Sequence, residues 1–148
     1  MTPRLCALAL ALLLAAAGGC GRSRTRGDAS APDPTGVFAS LDLPQALDRA
    51  RSGGQIVMVD VYTDWCGWCK KLDRETYSDR RVREALRDFV PIKINAEKGG
   101  RSVAEKYGVE GFPTILFVAA DGRVVRKVQG YVDADEMLRI LASMRKPA

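Results

Sequence analysis

Beyond residue 40 the apolar positions fall into blocks whose period switches between that of a helix and that of a strand. Leu43, Ala46, Leu47 and Ala50 repeat at helical spacing. Ser40 or Asp42 can cap this helix, Pro44 suits its first turn, and Ser52-Gly53-Gly54 stops it. Residues 55–63, with Ile56, Val57, Met58, Val59 and Val61, are too apolar and β-branched for a half-exposed strand. They predict a central strand covered on both faces. A helical pattern resumes near Gly67, breaks around Thr76-Tyr77-Ser78 and restarts behind Ser78 or Asp79. Residues 89–95 predict a second strand, and 103–107 a short helix ended by Gly108. Two further strands, 115–119 and 124–128, are joined across Asp121-Gly122, a hairpin signal. Met137, Ile140, Leu141 and Met144 line one side of a last helix over 133–144. Alternation first and a hairpin last predict an α/β fold: a mixed central β-sheet flanked by helices on both faces.

The first 36 residues follow another pattern. Arg4 precedes an apolar run, 5–17, and then Gly18-Gly19-Cys20. A membrane span needs roughly 20 residues, so this run fits the core of a secretory signal peptide, assigned to residues 1–19. Ala17-Gly18-Gly19-Cys20 resembles a bacterial lipobox. That resemblance implies acylation of Cys20 and a lipid anchor at the cell envelope. Cleavage at another small residue, with Cys20 lost or left as a stray thiol, is the alternative. Cys6, inside the run, reads as a small hydrophobe. Residues 20–36 are rich in Gly, Ser, Thr, Pro and Arg and are expected to form a flexible tether. Arg22, Arg24 and Arg26 can lean on anionic headgroups or simply be solvated. Residues 37–148 are then one folded domain.

Composition narrows the chemistry. With 47% hydrophobic and 28% charged residues the domain can bury a core without staples. The formal charge is +5, of which the N-terminal arginines supply a net +2. The remaining charges alternate in sign, as in Lys70-Lys71-Leu72-Asp73-Arg74-Glu75, so no nucleic-acid partner is expected. The chain has no histidine, which excludes Cys-His hydrolases and mixed Cys/His metal sites; no metal is expected.

The chemistry that remains lies in Trp65-Cys66-Gly67-Trp68-Cys69-Lys70, directly after the central strand. At a helix start Cys69 stands one turn beyond Cys66, within disulfide reach. The unpaired N–H groups there favour a Cys66 thiolate, the species that attacks disulfides. A structural disulfide or half a zinc site is the competing reading.

Four features at matching spacing make the region 37–144 resemble the thioredoxin superfamily: the Cys66-Gly67-Trp68-Cys69 motif after Trp65, Asp60 in the preceding strand, Lys93 in the next strand, and Pro113. Tyr62-Thr63-Asp64-Trp65-Cys66, Glu75-Thr76-Tyr77-Ser78-Asp79 and Gly111-Phe112-Pro113-Thr114-Ile115-Leu116-Phe117 are most similar to the C-terminal periplasmic domain of the disulfide reductase DsbD and its free-standing relatives. The resemblance implies a thioredoxin fold and a protein-disulfide reductase with no cofactor beyond the Cys66–Cys69 disulfide. It implies that Cys66 attacks, Cys69 resolves, Asp60 takes the Cys69 proton and Lys93 tunes Asp60, although a lysine can also reach from a strand to water. Pro113 is expected in the cis form, and Trp65, Trp68, Phe112 and Pro113 are expected around the substrate, with Trp65 also packed as a shield over the site; that Trp68 merely covers the disulfide and that Phe112 belongs to the core are the competing readings. The expected partners are protein disulfides and a membrane electron donor of the DsbD type, and the chain is expected to be a monomer. An oxidase or isomerase, or a tethered chaperone or assembly module without turnover, are the alternatives.

Overall fold

The computed structural model describes residues 33–144. The expected signal peptide, Cys6, Cys20 and most of the tether lie outside the described residues. In chain order the elements are α1 (Leu43–Gly53), β1 (Val57–Tyr62), α2 (Gly67–Lys71), α3 (Arg80–Ala85), β2 (Val90–Asn95), α4 (Arg101–Lys106), β3 (Thr114–Val118), β4 (Val124–Gln129) and α5 (Ala134–Met144). The order is the one the hydrophobic pattern predicts. Asp42, of the two cap candidates, starts α1: its carboxylate accepts from the Gln45 N–H while the Gln45 side chain accepts from the Asp42 N–H. This reciprocal pair satisfies two backbone donors that the first turn leaves open. Gly54, at φ 64°, closes the helix in a conformation that favours glycine.

The helix after the cysteines departs from expectation. It does not simply break near Thr76; α2 runs on as a π-helical segment, Leu72–Tyr77, and ends at Ser78. Asp79 then caps α3, accepting from the Arg81 N–H. From this segment Asp73 reaches Lys93 of β2, and Tyr77 is fully buried. Leu72, Thr76 and Tyr77 are buried.

The sheet order is β2-β1-β3-β4, with β1 parallel to β2 and antiparallel to β3, and β3 antiparallel to β4. All six residues of β1 are buried, as the apolar run predicts for a strand with a neighbour on each side and a layer on each face. Alternation splits the side chains between two cores. Val57, Val59 and Val61 join Ile92, Leu116 and Val118 under α1 and α4. Met58 joins Ile115 and Phe117 under the π segment, α3 and α5, with Leu72, Tyr77, Val82 and Met137. Asp60 and Tyr62 have the parity of Met58, so both belong to the second face.

Order begins before residue 37. The expected tether ended at Gly36, but Asp33 accepts from the Thr35 N–H, the Thr35 hydroxyl and the Phe38 N–H, closing a turn over Asp33-Pro34-Thr35-Gly36. That composition is turn chemistry rather than linker chemistry. The Ala39 N–H then donates to the Pro91 carbonyl at 2.8 Å, tying the segment to β2 at the sheet edge.

One glycine fixes the loop between β2 and α4. A Cβ at Gly100 would collide with the Ile94 side chain and the Asn95 carbonyl. Gly100→Ala is therefore expected to destabilise the domain by about 1–3 kcal/mol in urea unfolding, because backbone rather than a flexible side chain must yield.

Candidate active site

Strand β1 ends at Tyr62, and Thr63-Asp64-Trp65 carries the chain to Cys66, which takes an extended conformation and caps α2. Cys66 Sγ accepts from the Cys69 N–H at 3.0 Å, and the two cysteines form a disulfide with a Cα separation of 5.3 Å. The one-turn spacing read from the sequence is thus realised at a helix start. Both cysteines are buried in a small cluster with Tyr62, against which Phe112 packs. Phe112–Pro113 is a cis peptide bond, as the resemblance implied. Pro113 is buried immediately before β3, and its carbonyl accepts from the Gly130 N–H at 2.8 Å. Lacking an N–H, Pro113 presents no donor to the apolar cluster next to it.

The two tryptophans form an exposed rim. Trp68 is 59% exposed and stacks obliquely on Tyr131, with the Lys71 ammonium 5.3 Å from one ring and 4.5 Å from the other. Trp65 corrects the expectation of a packed shield: it is 67% exposed. Its ring meets Phe112 edge-on at 6.0 Å, and its indole N–H donates to Glu97 at 3.0 Å. An indole needs a partner for its N–H, and the available acceptor stands at the surface. Buried Asn95 braces this corner, donating to Asp64 and accepting from the N–H groups of Glu97 and Lys98.

Below the cysteines lies a buried charge cluster. Asp60 and Lys93 are register partners on β1 and β2. Asp60 is fully buried and neither carboxylate oxygen has a hydrogen-bond partner. The Lys93 ammonium stands 3.6 Å from Asp60, an ion-pair distance, but 2.5 Å from Asp73. Lys93 does not reach for water; its side chain is 9% exposed, held by both acids and by the rings of Tyr62 and Phe38 at 4.9 and 5.3 Å. Burial pushes the Asp60 pKa up to about 7; the Lys93 charge opposes this and the Asp73 charge adds to it. Tyr77, also buried, has an unpartnered hydroxyl whose pKa is pushed well up by burial, with Asp60 and Asp73 contributing.

Asp60 sits two residues before Tyr62 on the same strand face, and Tyr62 touches the cysteine cluster. An acid whose pKa lies near neutral therefore stands on the strand face that leads to the cysteine cluster. Asp73 was missed from sequence. A usable signal existed: Asp73 and Tyr77 follow Cys69 at intervals of four, the spacing of one helical face.

A buried disulfide at a helix start, a cis proline and a protonatable acid beneath define a site for thiol-disulfide exchange. The thioredoxin-like domain family matches residues 43–145, and the chain belongs to that family. The thiol:disulfide interchange protein DsbD of Pseudomonas fluorescens is 34% identical over 110 residues, which is 71% of this chain and 19% of that protein. DsbD of Klebsiella pneumoniae is 37% identical over 105 residues, 68% of this chain and 17% of its own length. The chain thus spans about a fifth of the length of these relatives. Among solved structures, the C-terminal domain of Neisseria meningitidis DsbD in its reduced form superposes with a TM-score of 0.57 at 28% identity, covering 68% of this chain and 91% of that one. A thioredoxin from Thermus thermophilus gives 0.62 at 29% identity, covering 68% and 82%. The domain is of thioredoxin fold and similar to the C-terminal domain of DsbD.

Two outcomes follow from the cluster. Because Asp60 holds its proton up to about pH 7 when folded and loses it near pH 4 when unfolded, the unfolded state binds fewer protons over that window. Stability should fall as pH rises between those values, and Asp60→Asn should remove the slope and raise stability at pH 8 by up to about 4 kcal/mol, measured by urea unfolding. Asp73→Asn should free Lys93 to pair with Asp60 alone, lowering the Asp60 titration midpoint in a carboxyl NMR titration.

Proposed function

We propose that this protein is an exported, membrane-tethered reductase of protein disulfides. The observation that carries the reading is the Cys66–Cys69 disulfide at a helix start in a domain 34% identical to a thiol:disulfide interchange protein. In the reduced form the Cys66 thiolate attacks one sulfur of a substrate disulfide, forming a mixed disulfide and expelling the other sulfur as thiolate. Cys69, deprotonated by Asp60, then attacks Cys66 Sγ; the Cys66–Cys69 bond closes and the second substrate thiolate leaves. Two electrons pass to the substrate and one proton passes to Asp60.

The unpartnered oxygens of Asp60 suit a proton acceptor, since no fixed donor occupies them. Lys93, divided between two acids, tunes that acceptor. Trp65, Trp68, Phe112 and Pro113 contact the substrate around the disulfide, and Pro113 offers the edge along which extended backbone docks. Acylated Cys20 holds the domain to the envelope membrane on its periplasmic side. A membrane donor of the DsbD type returns the electrons.

The Cys69→Ser variant tests the reading. It should accumulate a mixed disulfide between Cys66 and client proteins, seen on non-reducing gels, whereas Cys66→Ser should trap nothing. Loss of insulin-reducing activity by at least about a hundredfold is expected of either variant. A Cys66→Ser/Cys69→Ser chain that retains its cellular function would instead mark a binding module without turnover.

A further inference from the structure

The face around α3 carries an arginine-lined cavity at the end of the sheet away from the disulfide. Arg80 and Arg83 lie three apart on α3, Arg87 lies in the short 3-10 turn that follows it, and Arg49 of α1 lines the same cavity. The four arginines line an open cavity of about 790 Å³ together with Phe38 and Phe89, and Glu84 is the acid among the lining residues. All four arginines are exposed, and none is in an ion pair among the described residues. Three nearby acids are engaged elsewhere, Asp79 and Asp135 with Arg81 and Asp48 with Arg51, and Glu84 offsets one of the four arginine charges at the cavity.

Position gives the patch its meaning. The cavity borders Phe89 and Pro91 at the start of β2, whereas the disulfide follows the other end of the parallel pair, beyond Tyr62 and Asn95. Six residues of strand separate the two ends by about 17 Å. Thr35 to Ala39 line the same cavity, so the chain enters the domain on the arginine face. From Cys20 to Asp33 is thirteen residues, a maximum reach of about 45 Å.

We propose that this arginine cavity docks on the phosphates of anionic lipid headgroups, so that the tethered domain rests on the membrane with its disulfide end facing away. The reach argument rests on the reading of Cys20 as an anchor; the charge argument does not. Guanidinium pairs well with phosphate, and a bilayer presents many phosphates to a cationic face at once.

The test is co-sedimentation of the full chain with vesicles of phosphatidylcholine alone and of phosphatidylcholine with phosphatidylglycerol. The anionic vesicles should bind at least about tenfold more tightly in 0.1 M salt, and the difference should vanish in 0.5 M salt. Arg80→Gln/Arg83→Gln/Arg87→Gln should lose that difference while its insulin-reducing activity stays unchanged, which also shows that the variant folds. A preference that survives in the variant would assign the effect to the tether arginines and overturn the proposal, as would equal binding to both vesicles. Binding of the cavity to polyglutamate but not to vesicles would overturn it in favour of an acidic protein. Binding to neutral vesicles, retained by the variant, is what the acyl anchor supplies; its absence would remove the anchor and leave the arginine result intact.

Discussion

A carboxylate with no hydrogen bond, sealed inside a sheet, is expensive, and the architecture around Asp60 is arranged to tolerate it. The parallel register of β1 and β2 sets Lys93 beside it, and the π segment after the cysteines turns Asp73 in to share the ammonium. Lys93 is shared between two acids, so burial wins at Asp60 and its pKa rises to about 7. The sheet register, the irregular helix and the proton chemistry of the site are therefore one constraint.

The same constraint divides the labour of the two sheet faces. The face under α1 and α4 is wholly apolar along β1, and the other face carries the charge cluster between the second core and the disulfide. Phe38 links the ends of this arrangement. Its ring meets Tyr77 edge-on at 4.9 Å and Lys93 at 5.3 Å, while its N–H is held by the Asp33 turn where the chain enters. The entry segment thus forms part of the wall around the buried charges.

Most of the fold was legible because its signals are local. A β-branched run, an Asp-Gly hairpin and a capped helix each state their own conformation, and the alternation of elements leaves few topologies. Cys66, Cys69, Pro113 and Asp60 were legible as a set because their spacing is distinctive. What escaped was non-local or depended on helix geometry. Asp73 lies in a charged string that reads as solvated surface, yet its carboxylate meets the Lys93 ammonium inside the domain. The family resemblance implies a packed Trp65, yet its indole N–H donates to Glu97 and the ring stays at the rim. The Asp33 turn was hidden in linker-like composition, and the arginine cavity in a mixed-sign surface, since a string of residues does not show which charges find partners.

The central claim is that the pair donates electrons. Equilibrating the chain against glutathione, and following the change through the fluorescence of Trp65 and Trp68, gives the reduction potential of the Cys66–Cys69 couple. The account predicts a value near that of thioredoxin, about −270 mV, whereas one near that of DsbA, about −120 mV, would make the protein an oxidant and contradict it.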